Sequence, residues 1–371
     1  MSDANEKQSV FKDAIKNNLG PVLKYLEDKT VSEILVNGHK EIFIERKGKL
    51  ERVPDSFASE DDLRAAVNSI AQSVGRRIDN ESPRLDARLP DGSRIAAVIP
   101  PMSRKGTTLS IRKFTNNKIT FADYIKFGAI TEDGARFLDI CMFLGKNIIV
   151  SGGTGSGKTT LLSLLSTRIP KGQRVLVIED SSELQIDYEH VVFFETRQAD
   201  QLGKGEVSIK DLLKSALRLR PDRIIVGEVR STEAIELLNA MNTGHKGCMG
   251  TVHANSPEDA IVRLEALAQG GGDVGEKALQ LQVASAIDMI IQVSRYSDGS
   301  RRIGAISEIR GFDDKGNYNV VPIFQMSRMS RKPDGTLEGR LESTGNVPSF
   351  MEEIVDNNLP FPKVKFQKKA A

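Results

Sequence analysis

One stretch, residues 147–162, limits what this chain can fold into more than any other. It reads NIIVSGGTGSGKTTLL, which predicts a buried strand, a glycine-rich turn and the start of a helix. From Gly152 to Thr159 it fits the pattern G-x-x-x-x-G-K-[ST] of a P-loop without a mismatch. Glycines let the backbone close around an anion, because a Cβ would block the approach. The alternative is a Gly/Ser-rich loop before an ordinary helix, and the flanking strand and Leu-rich helix disfavour it.

The residues of this loop then take distinct parts in binding a nucleotide. Backbone amides of the loop and of the helix start point at phosphate oxygens, and the helix dipole adds attraction. Lys158 reaches the β- and γ-phosphates, and the hydroxyl of Thr159 holds Mg²⁺. The predicted nucleotide-binding residues are Gly153, Thr154, Gly155, Ser156, Gly157, Lys158, Thr159 and Thr160.

Length and composition indicate a soluble protein of two or three domains. The chain has 371 residues, more than a single core usually serves. Its net charge of +2 argues neither for nor against nucleic acid as a partner. Cys141 and Cys248 are far apart, which favours buried thiols in a reducing compartment. The sequence shows neither a signal peptide nor an apolar run of membrane-spanning length, so we expect a cytoplasmic protein that meets the membrane through a partner.

The part of the chain before the P-loop predicts a small α+β domain and a linker. Residues 1–29 indicate a polar lead-in and a short helix that Gly20-Pro21 interrupts. Residues 30–115 alternate short strands and Gly turns, with an amphipathic helix that Ser59 caps. Residues 116–131 then suit a linker between domains.

From residue 132 to residue 325 helices alternate with strands, which predicts a mostly parallel sheet covered on both faces. Besides the P-loop strand, strands are expected at 174–178, 223–226, 248–252, 289–293 and 303–309, and helices at 209–219, 232–241, 257–267 and 276–286. Residues 326–371 are weakly patterned and form a C-terminal extension. We read its basic end, Lys363, Lys365, Lys368 and Lys369, as solvated and frayed.

Acidic residues follow two of these strands directly. Arg223–Val226 runs into Gly227-Glu228, and open α/β sheets bind ligands at the carboxyl ends of their strands. Glu228 would therefore hold the hydration shell of Mg²⁺, as a Walker B acid does. The strand before residue 179 runs into Glu179-Asp180-Ser181-Ser182-Glu183, a cluster from which a general base can come. A polar loop that caps a helix is the alternative, and the P-loop makes catalysis the better reading.

Two of the four histidines bracket one predicted strand. His245 precedes it and His253 follows it, and no third and fourth ligand accompany them, so a metal site is disfavoured. A contact with the γ-phosphate and a structural role both stay open for each. His39 and His190 are read as structural.

Four longer phrases carry a resemblance to a known family. They are LDARLPDGSR (85–94), TLSIRKF (108–114), LRLRPDRIIVGEVR (217–230) and AMNTGH (240–245). Together with the P-loop, this chain resembles the secretion and pilus ATPase superfamily from about residue 30 to about residue 325. It is most similar to the CpaF-like ATPases of the tight adherence (Tad, Flp-type) pilus system.

This resemblance implies a fold and a set of catalytic residues. The implied fold is α/β, with a C-terminal RecA-like P-loop ATPase domain and a smaller α+β N-terminal domain that clamps the nucleotide. Glu183 would be the general base that aligns the attacking water, and Glu228 the Walker B acid. His253 would lie near the γ-phosphate, and the cofactors would be ATP and Mg²⁺.

The resemblance also implies a role at the nucleotide for arginines that, from the sequence alone, we would expect to be ordinary surface residues. Arg94 and Arg112 match family arginines that approach the nucleotide from the N-terminal domain, and Arg218 and Arg230 are further candidates for the pocket or the subunit interface. The implied assembly is a homohexamer at the inner membrane, held there by pilus platform proteins. Its work would be Tad pilus assembly, retraction or both.

The sequence leaves three alternative functions open. The chain lacks the four-cysteine zinc module of type II secretion and type IVa pilus ATPases, but a type IV secretion traffic ATPase would share all of this chemistry. A RecA-like DNA-dependent ATPase or helicase would need a basic, aromatic-lined channel, yet aromatic residues are 5% of the chain, so no nucleic acid partner is expected. A regulator that binds a nucleotide without hydrolysing it is disfavoured by Glu183 and Glu228.

Overall fold

A computed structural model describes residues 19–46, 48–89, 91–113, 119–197, 199, 203–272 and 274–367. The chain divides into two compact units, Met1–Asn117 and Lys118–Ala371. Among the described residues, no helix combines the length and the apolar character that crossing a bilayer requires.

The first unit is an antiparallel sheet with two helices. The strand order is β3-β2-β1-β6-β5-β4. The strands are β1 (Val31–Asn37), β2 (Ile42–Arg46), β3 (Lys49–Val53), β4 (Arg84–Arg88), β5 (Arg94–Val98) and β6 (Thr108–Arg112), and the helices are α1 (Gly20–Glu27) and α2 (Glu60–Ser73).

Local sequence explains where both helices of this unit begin. Pro21 lies in the first turn of α1, where a missing N–H costs nothing. Gly20-Pro21 therefore starts a helix, and the piece expected before it lies outside the described residues. The hydroxyl of Ser59 accepts the N–H of Asp62, so the predicted cap of α2 is confirmed.

Alternation along the strands separates a core face from a polar face. Ile95, Leu109 and Ile111 are fully buried. The polar face carries a row of directly paired residues, since Arg94 stands opposite both Arg88 and Arg112.

The second unit is built on a nine-stranded sheet in the order β17-β14-β13-β12-β7-β11-β10-β8-β9. The six strands from β12 to β9 are parallel, and the other three are antiparallel. The strands are β7 (Ile148–Gly152), β8 (Val175–Glu179), β9 (Val191–Glu195), β10 (Arg223–Val226), β11 (Met249–Val252), β12 (Met289–Arg295), β13 (Arg301–Phe312), β14 (Tyr318–Met326), β15 (Ser330–Arg331), β16 (Leu337–Glu338) and β17 (Leu341–Ser343), of which β15 and β16 form a separate hairpin.

Helices cover both faces of this sheet, as the alternation of elements predicts. They are α3 (Phe121–Lys126), α4 (Glu132–Leu144), α5 (Lys158–Ser166), α6 (Ile209–Ala216), α7 (Glu233–Asn242), α8 (Pro257–Gln269), α9 (Glu276–Ala286) and α10 (Met351–Asp356). Apolar residues such as Val150 and Ile149 alternate between two separate core clusters. The parallel strands therefore carry their functional residues at the rim, where each strand ends.

The C-terminal segment belongs to the core of this unit. Phe366 is fully buried in a 3₁₀ turn, Lys363–Phe366, and packs edge-on against Phe137 of α4. Lys365 forms an ion pair with Asp133 at 2.8 Å. The expectation of a frayed end is therefore wrong for residues 363–366. Lys368 and Lys369 lie outside the described residues.

Candidate nucleotide-binding site

The backbone of the P-loop takes a path that glycine alone tolerates at several points. Gly155 and Gly157 have positive φ angles of 68° and 99°. A Cβ on Gly152 would lie 2.4 Å from the carbonyl oxygen of Val293. The motif glycines thus allow both the left-handed turns and the close passage of β7 past β12.

Three consecutive residues of the P-loop are exposed. Gly153, Thr154 and Gly155 are exposed, and Ser156 is buried behind them. The N-cap residue of α5 is Gly157, so no cap side chain covers the first amides of the helix. Free N–H groups at the positive end of a helix dipole form an anion site, and the half-buried Thr159 and Thr160 lie in its first turn.

Lys158 is folded back onto its own loop. Its Nζ donates to the carbonyl oxygens of Gly152 at 3.0 Å and Gly153 at 3.1 Å. Burial lowers the pKa of Lys158, and the nearby carboxylate of Glu228 opposes that effect. The ammonium is therefore held at the loop by two backbone carbonyl acceptors.

His253 links Lys158 to Glu228. Its Nδ1 lies 3.3 Å from Nζ of Lys158, and its Nε2 lies 2.6 Å from Oε1 of Glu228. An ammonium can only donate, so we assign Nδ1 as the acceptor and place the proton on Nε2. Burial and then the charge of Lys158 lower the pKa of His253, which favours this neutral form.

Glu228 follows β10, and its two oxygens lie close to His253 and Arg230. Arg230 donates from Nη2 to Oε2 of Glu228, and its Nη1 lies 3.4 Å from the carboxylate of Asp180. A chain of contacts thus runs from Lys158 through His253 and Glu228 to Arg230.

The acidic segment after β8 is held by a buried carboxylate. Oε1 of Glu179 accepts the backbone N–H groups of Glu183 at 2.8 Å and Leu184 at 2.9 Å. A Cβ on Gly227 would lie 2.9 Å from Cγ of Glu179, so the glycine before Glu228 makes room for it. Glu179 fixes the position of Glu183, a role that its sequence context does not reveal.

Glu183 belongs electrostatically to the same group. Burial lowers the pKa of Lys158 and the hydrogen bond to Glu228 raises the pKa of Arg230, and the charge of Glu183 makes a smaller contribution at both, opposing the first shift and adding to the second. We call Lys158, Glu183, Glu228, Arg230 and His253 the P-loop rim. These residues come from three neighbouring strand ends and the P-loop, which is what convergence at the carboxyl edge of a parallel sheet predicts.

The donor set fits Mg²⁺ in the way the sequence suggests. Mg²⁺ prefers oxygen ligands and usually takes one or two carboxylates, with phosphates and water completing the shell. Thr159 offers a hydroxyl and Glu228 a carboxylate beside the P-loop. In the described part of the chain, no group of three or more His, Cys, Asp or Glu is arranged as a metal cage, so phosphate would have to supply further ligands.

The other candidates from the sequence belong to other elements of the chain. Arg94 and Arg112 are direct partners on β5 and β6 of the first unit. His245 precedes β11 and Arg218 precedes β10, so both lie at the amino edge of the parallel strands, whereas His253 and Arg230 follow the same strands.

The fold and the loop define a P-loop nucleotide-binding protein. Residues 16–315 match the protein family described as type II/IV secretion system protein. That match covers most of the chain, and the chain belongs to this family.

Individual relatives agree with this assignment. A putative conjugal transfer protein of Mycobacterium tuberculosis is 35% identical over 322 residues, which cover 85% of this chain and 91% of that protein. The type IV secretion system protein VirB11 of Bartonella quintana is 31% identical over 321 residues, which cover 76% and 89%.

A solved structure extends the likeness to the fold. The pilus retraction motor PilT with bound ADP has a TM-score of 0.57 at 20% identity, covering 94% of this chain and 89% of that one. The predicted fold class, a C-terminal RecA-like P-loop domain with a smaller α+β N-terminal domain, is confirmed. The particular pilus system named from the sequence is not distinguished by these relatives.

Proposed function

We propose that this chain hydrolyses ATP and converts the released free energy into rigid-body motion for a type II/IV secretion machine. The observation that carries the proposal is the P-loop rim, in which Lys158, His253 and Glu228 form a contiguous chain beside a phosphate-binding loop. A loop that only bound a nucleotide would not need carboxylates from two further strands at the same edge.

Each rim residue has a part in the proposed reaction. Bound phosphate displaces the carbonyls of Gly152 and Gly153 from Lys158, because a phosphate oxygen is the stronger acceptor. Glu183 orients the water that attacks the γ-phosphorus and takes its proton. Thr159 and Glu228 would hold Mg²⁺, which would supply positive charge to the phosphates.

Movement of Lys158 also changes the partner of His253. Its Nδ1 loses the ammonium and is free to interact with a neighbouring group, while Nε2 keeps its contact with Glu228. His253 would thus report phosphate occupancy to the end of β11. We propose that Arg94 and Arg112 add positive charge to the transition state, as the family resemblance implies.

The proposed setting is a homohexamer on the cytoplasmic side of the inner membrane, bound there by platform proteins of a Tad-type pilus. The quoted phrases at 85–94 and 217–230 support that system. A type IV secretion traffic ATPase is the second candidate, and the conjugal transfer and VirB11 relatives favour it. Neighbouring genes for a pilin and a platform protein, or for a conjugation channel, separate the two.

Steady-state phosphate release tests the activity itself. Lys158→Ala and Glu183→Gln should each lower turnover by about 100-fold or more. Glu183→Gln should still bind ATP, since the carboxylate acts on water. Wild-type rates in both variants, or stimulation of turnover by single-stranded DNA, would contradict the proposal.

A further inference from the structure

A second pair of arginines lies against the P-loop, on a hairpin that none of the motifs includes. Arg295 ends β12 and Arg301 begins β13, and the two residues are direct partners across the hairpin. Nε of Arg301 donates to the carbonyl oxygen of Gly155 at 2.9 Å. A Cβ on Gly157 would lie 3.5 Å from Cδ of Arg301, and a Cβ on Gly155 would lie 3.8 Å from Nη1 of Arg295.

Side-chain hydrogen bonds stabilise the turn of the hairpin that carries this pair. Oδ1 of Asp298 accepts both the N–H and the hydroxyl of Ser300, which closes the turn. Oδ2 of Asp298 accepts the N–H of Leu337, so the turn is tied to the neighbouring β15–β16 hairpin. Arg331 donates to the hydroxyl of Ser297 at 2.8 Å and adds a second tie. These hydrogen bonds therefore hold the hairpin backbone that carries the two guanidinium groups.

The order of strands tells which end of a nucleotide this pair would meet. β7, which leads into the P-loop, has β11 and then β10 on one side and β12 and then β13 on the other. His253 and Glu228, the groups for the γ-phosphate and Mg²⁺, come from β11 and β10. A nucleotide whose γ-phosphate points to that side extends its nucleoside toward β12 and β13.

We propose that Arg295 and Arg301 bind the nucleoside end of the nucleotide, with their guanidinium planes against the base. The proposal rests on the nucleotide binding proposed above and deepens it. Both side chains are exposed. A guanidinium stacks on aromatic rings and donates hydrogen bonds in its own plane, which an ammonium cannot do.

Competition between ATP and inorganic tripolyphosphate tests the proposal, because both ligands need the P-loop but only ATP has a nucleoside. Affinities are measured by displacement of a fluorescent ATP analogue from the full chain. In the Arg295→Ala/Arg301→Ala double variant, ATP affinity should fall about tenfold and tripolyphosphate affinity should stay near wild type. GTP should weaken as ATP does, since every base offers a π face.

Three further proteins complete the experiment. Lys158→Ala should weaken ATP and tripolyphosphate together, and Arg340→Ala, an exposed arginine just before β17, should change neither. Arg295→Lys/Arg301→Lys keeps the charges without the planes and should show the same selective loss as the alanine pair. This variant also serves if the alanine pair does not fold.

Equal loss of both ligands in the arginine variants would overturn the proposal and leave the pair as a brace for the loop. Unchanged ATP affinity would overturn it as well. If the wild-type chain binds neither ligand, the proposed ATPase function fails together with this inference, whereas wild-type binding with unaffected variants refutes the inference alone.

Discussion

Two regions of the second unit, the P-loop rim and the aromatic cluster around Phe137, differ in polarity and in burial. Both gather residues that are distant in the sequence. The rim holds charged groups that remain partly exposed, such as Glu228 and Arg230. The cluster holds rings that are almost entirely buried, and its members are Phe137, Phe324, Phe350, Phe361 and Phe366.

The difference teaches where activity and stability reside. The ion pairs of the rim keep some contact with water, since the side chain of Arg230 is 53% exposed and that of Glu228 is 18% exposed, and an incoming anion can rearrange them. The aromatic cluster has no charge to rearrange and stabilises the fold by burying apolar surface. Changes at the rim should therefore alter turnover and leave unfolding almost unaffected, and changes in the cluster should do the reverse.

The largest expected effect is at the rim. Glu228→Gln removes the charge that faces His253 and Arg230 and should lower ATP turnover by about 100- to 1000-fold. Its melting temperature should stay close to wild type. The control is Glu353→Gln, which changes a carboxylate paired with Lys146 near the aromatic cluster and should keep wild-type turnover. Equal losses of turnover in Glu228→Gln and Glu353→Gln would contradict the proposed difference between the rim and the aromatic cluster.

A substitution at Phe366 should have the reverse effect, a loss of stability without a change in ATP binding. Phe366→Ala deletes a fully buried ring and should lower the free energy of unfolding by about 3–5 kcal/mol in chemical denaturation. The KM for ATP, measured where the variant is folded, should be unchanged. Val364→Ala alters a side chain that is 59% exposed in the same turn and should change stability by less than about 0.5 kcal/mol. A Phe366 variant as stable as the Val364 variant would mean that the end is not part of the core.

Acid should impair the rim through His253. Its pKa is lowered from 6.5, so the ring is neutral at pH 7 and turnover should not depend on its titration above that pH. As the pH falls below 6.5, a proton on Nδ1 removes the acceptor that Lys158 uses before the nucleotide binds, and it places two cations side by side. A pH–rate profile should show a loss on the acid side that is absent in His253→Gln. The same acid limb in that variant would assign the titration to another group.

The smallest effect is expected for the ion pair at the edge of the aromatic cluster. Lys365 and Asp133 are partly exposed, so the pair is screened by water. Lys365→Ala should cost at most about 1 kcal/mol of unfolding free energy and leave turnover intact. A larger loss would show that this contact, and not the buried rings, anchors the C-terminal segment.

Much of the rim could be predicted because its signals are local. A P-loop, a strand that ends in Gly227-Glu228 and a strand that ends in Glu179 each occupy a few consecutive residues. Parallel strands then place these ends at one edge. Sequence could not show that Glu179 is a buried support and that Glu183 is partly exposed, because that depends on the exact backbone turn between them.

The aromatic cluster was not predicted because three of its five members follow no helical or strand period. Phe350, Phe361 and Phe366 lie in short, irregular elements, and only contact with Phe137 makes them a core. Strand β9 was missed for a related reason, since its five residues pair at an edge and leave Phe193 exposed. The placement of Arg295 opposite Arg301 depends on the register of the β12–β13 hairpin, and this register was not evident from the sequence.

A structure of the chain with Mg²⁺ and a slowly hydrolysed ATP analogue would test the central claim most directly. We predict that Nζ of Lys158 leaves the carbonyls of Gly152 and Gly153 for the β- and γ-phosphates. A carboxylate oxygen of Glu183 should then contact a water in line with the γ-phosphorus. A complex in which Lys158 keeps its loop carbonyls, or in which Glu183 faces away from the γ-phosphate, would contradict the account.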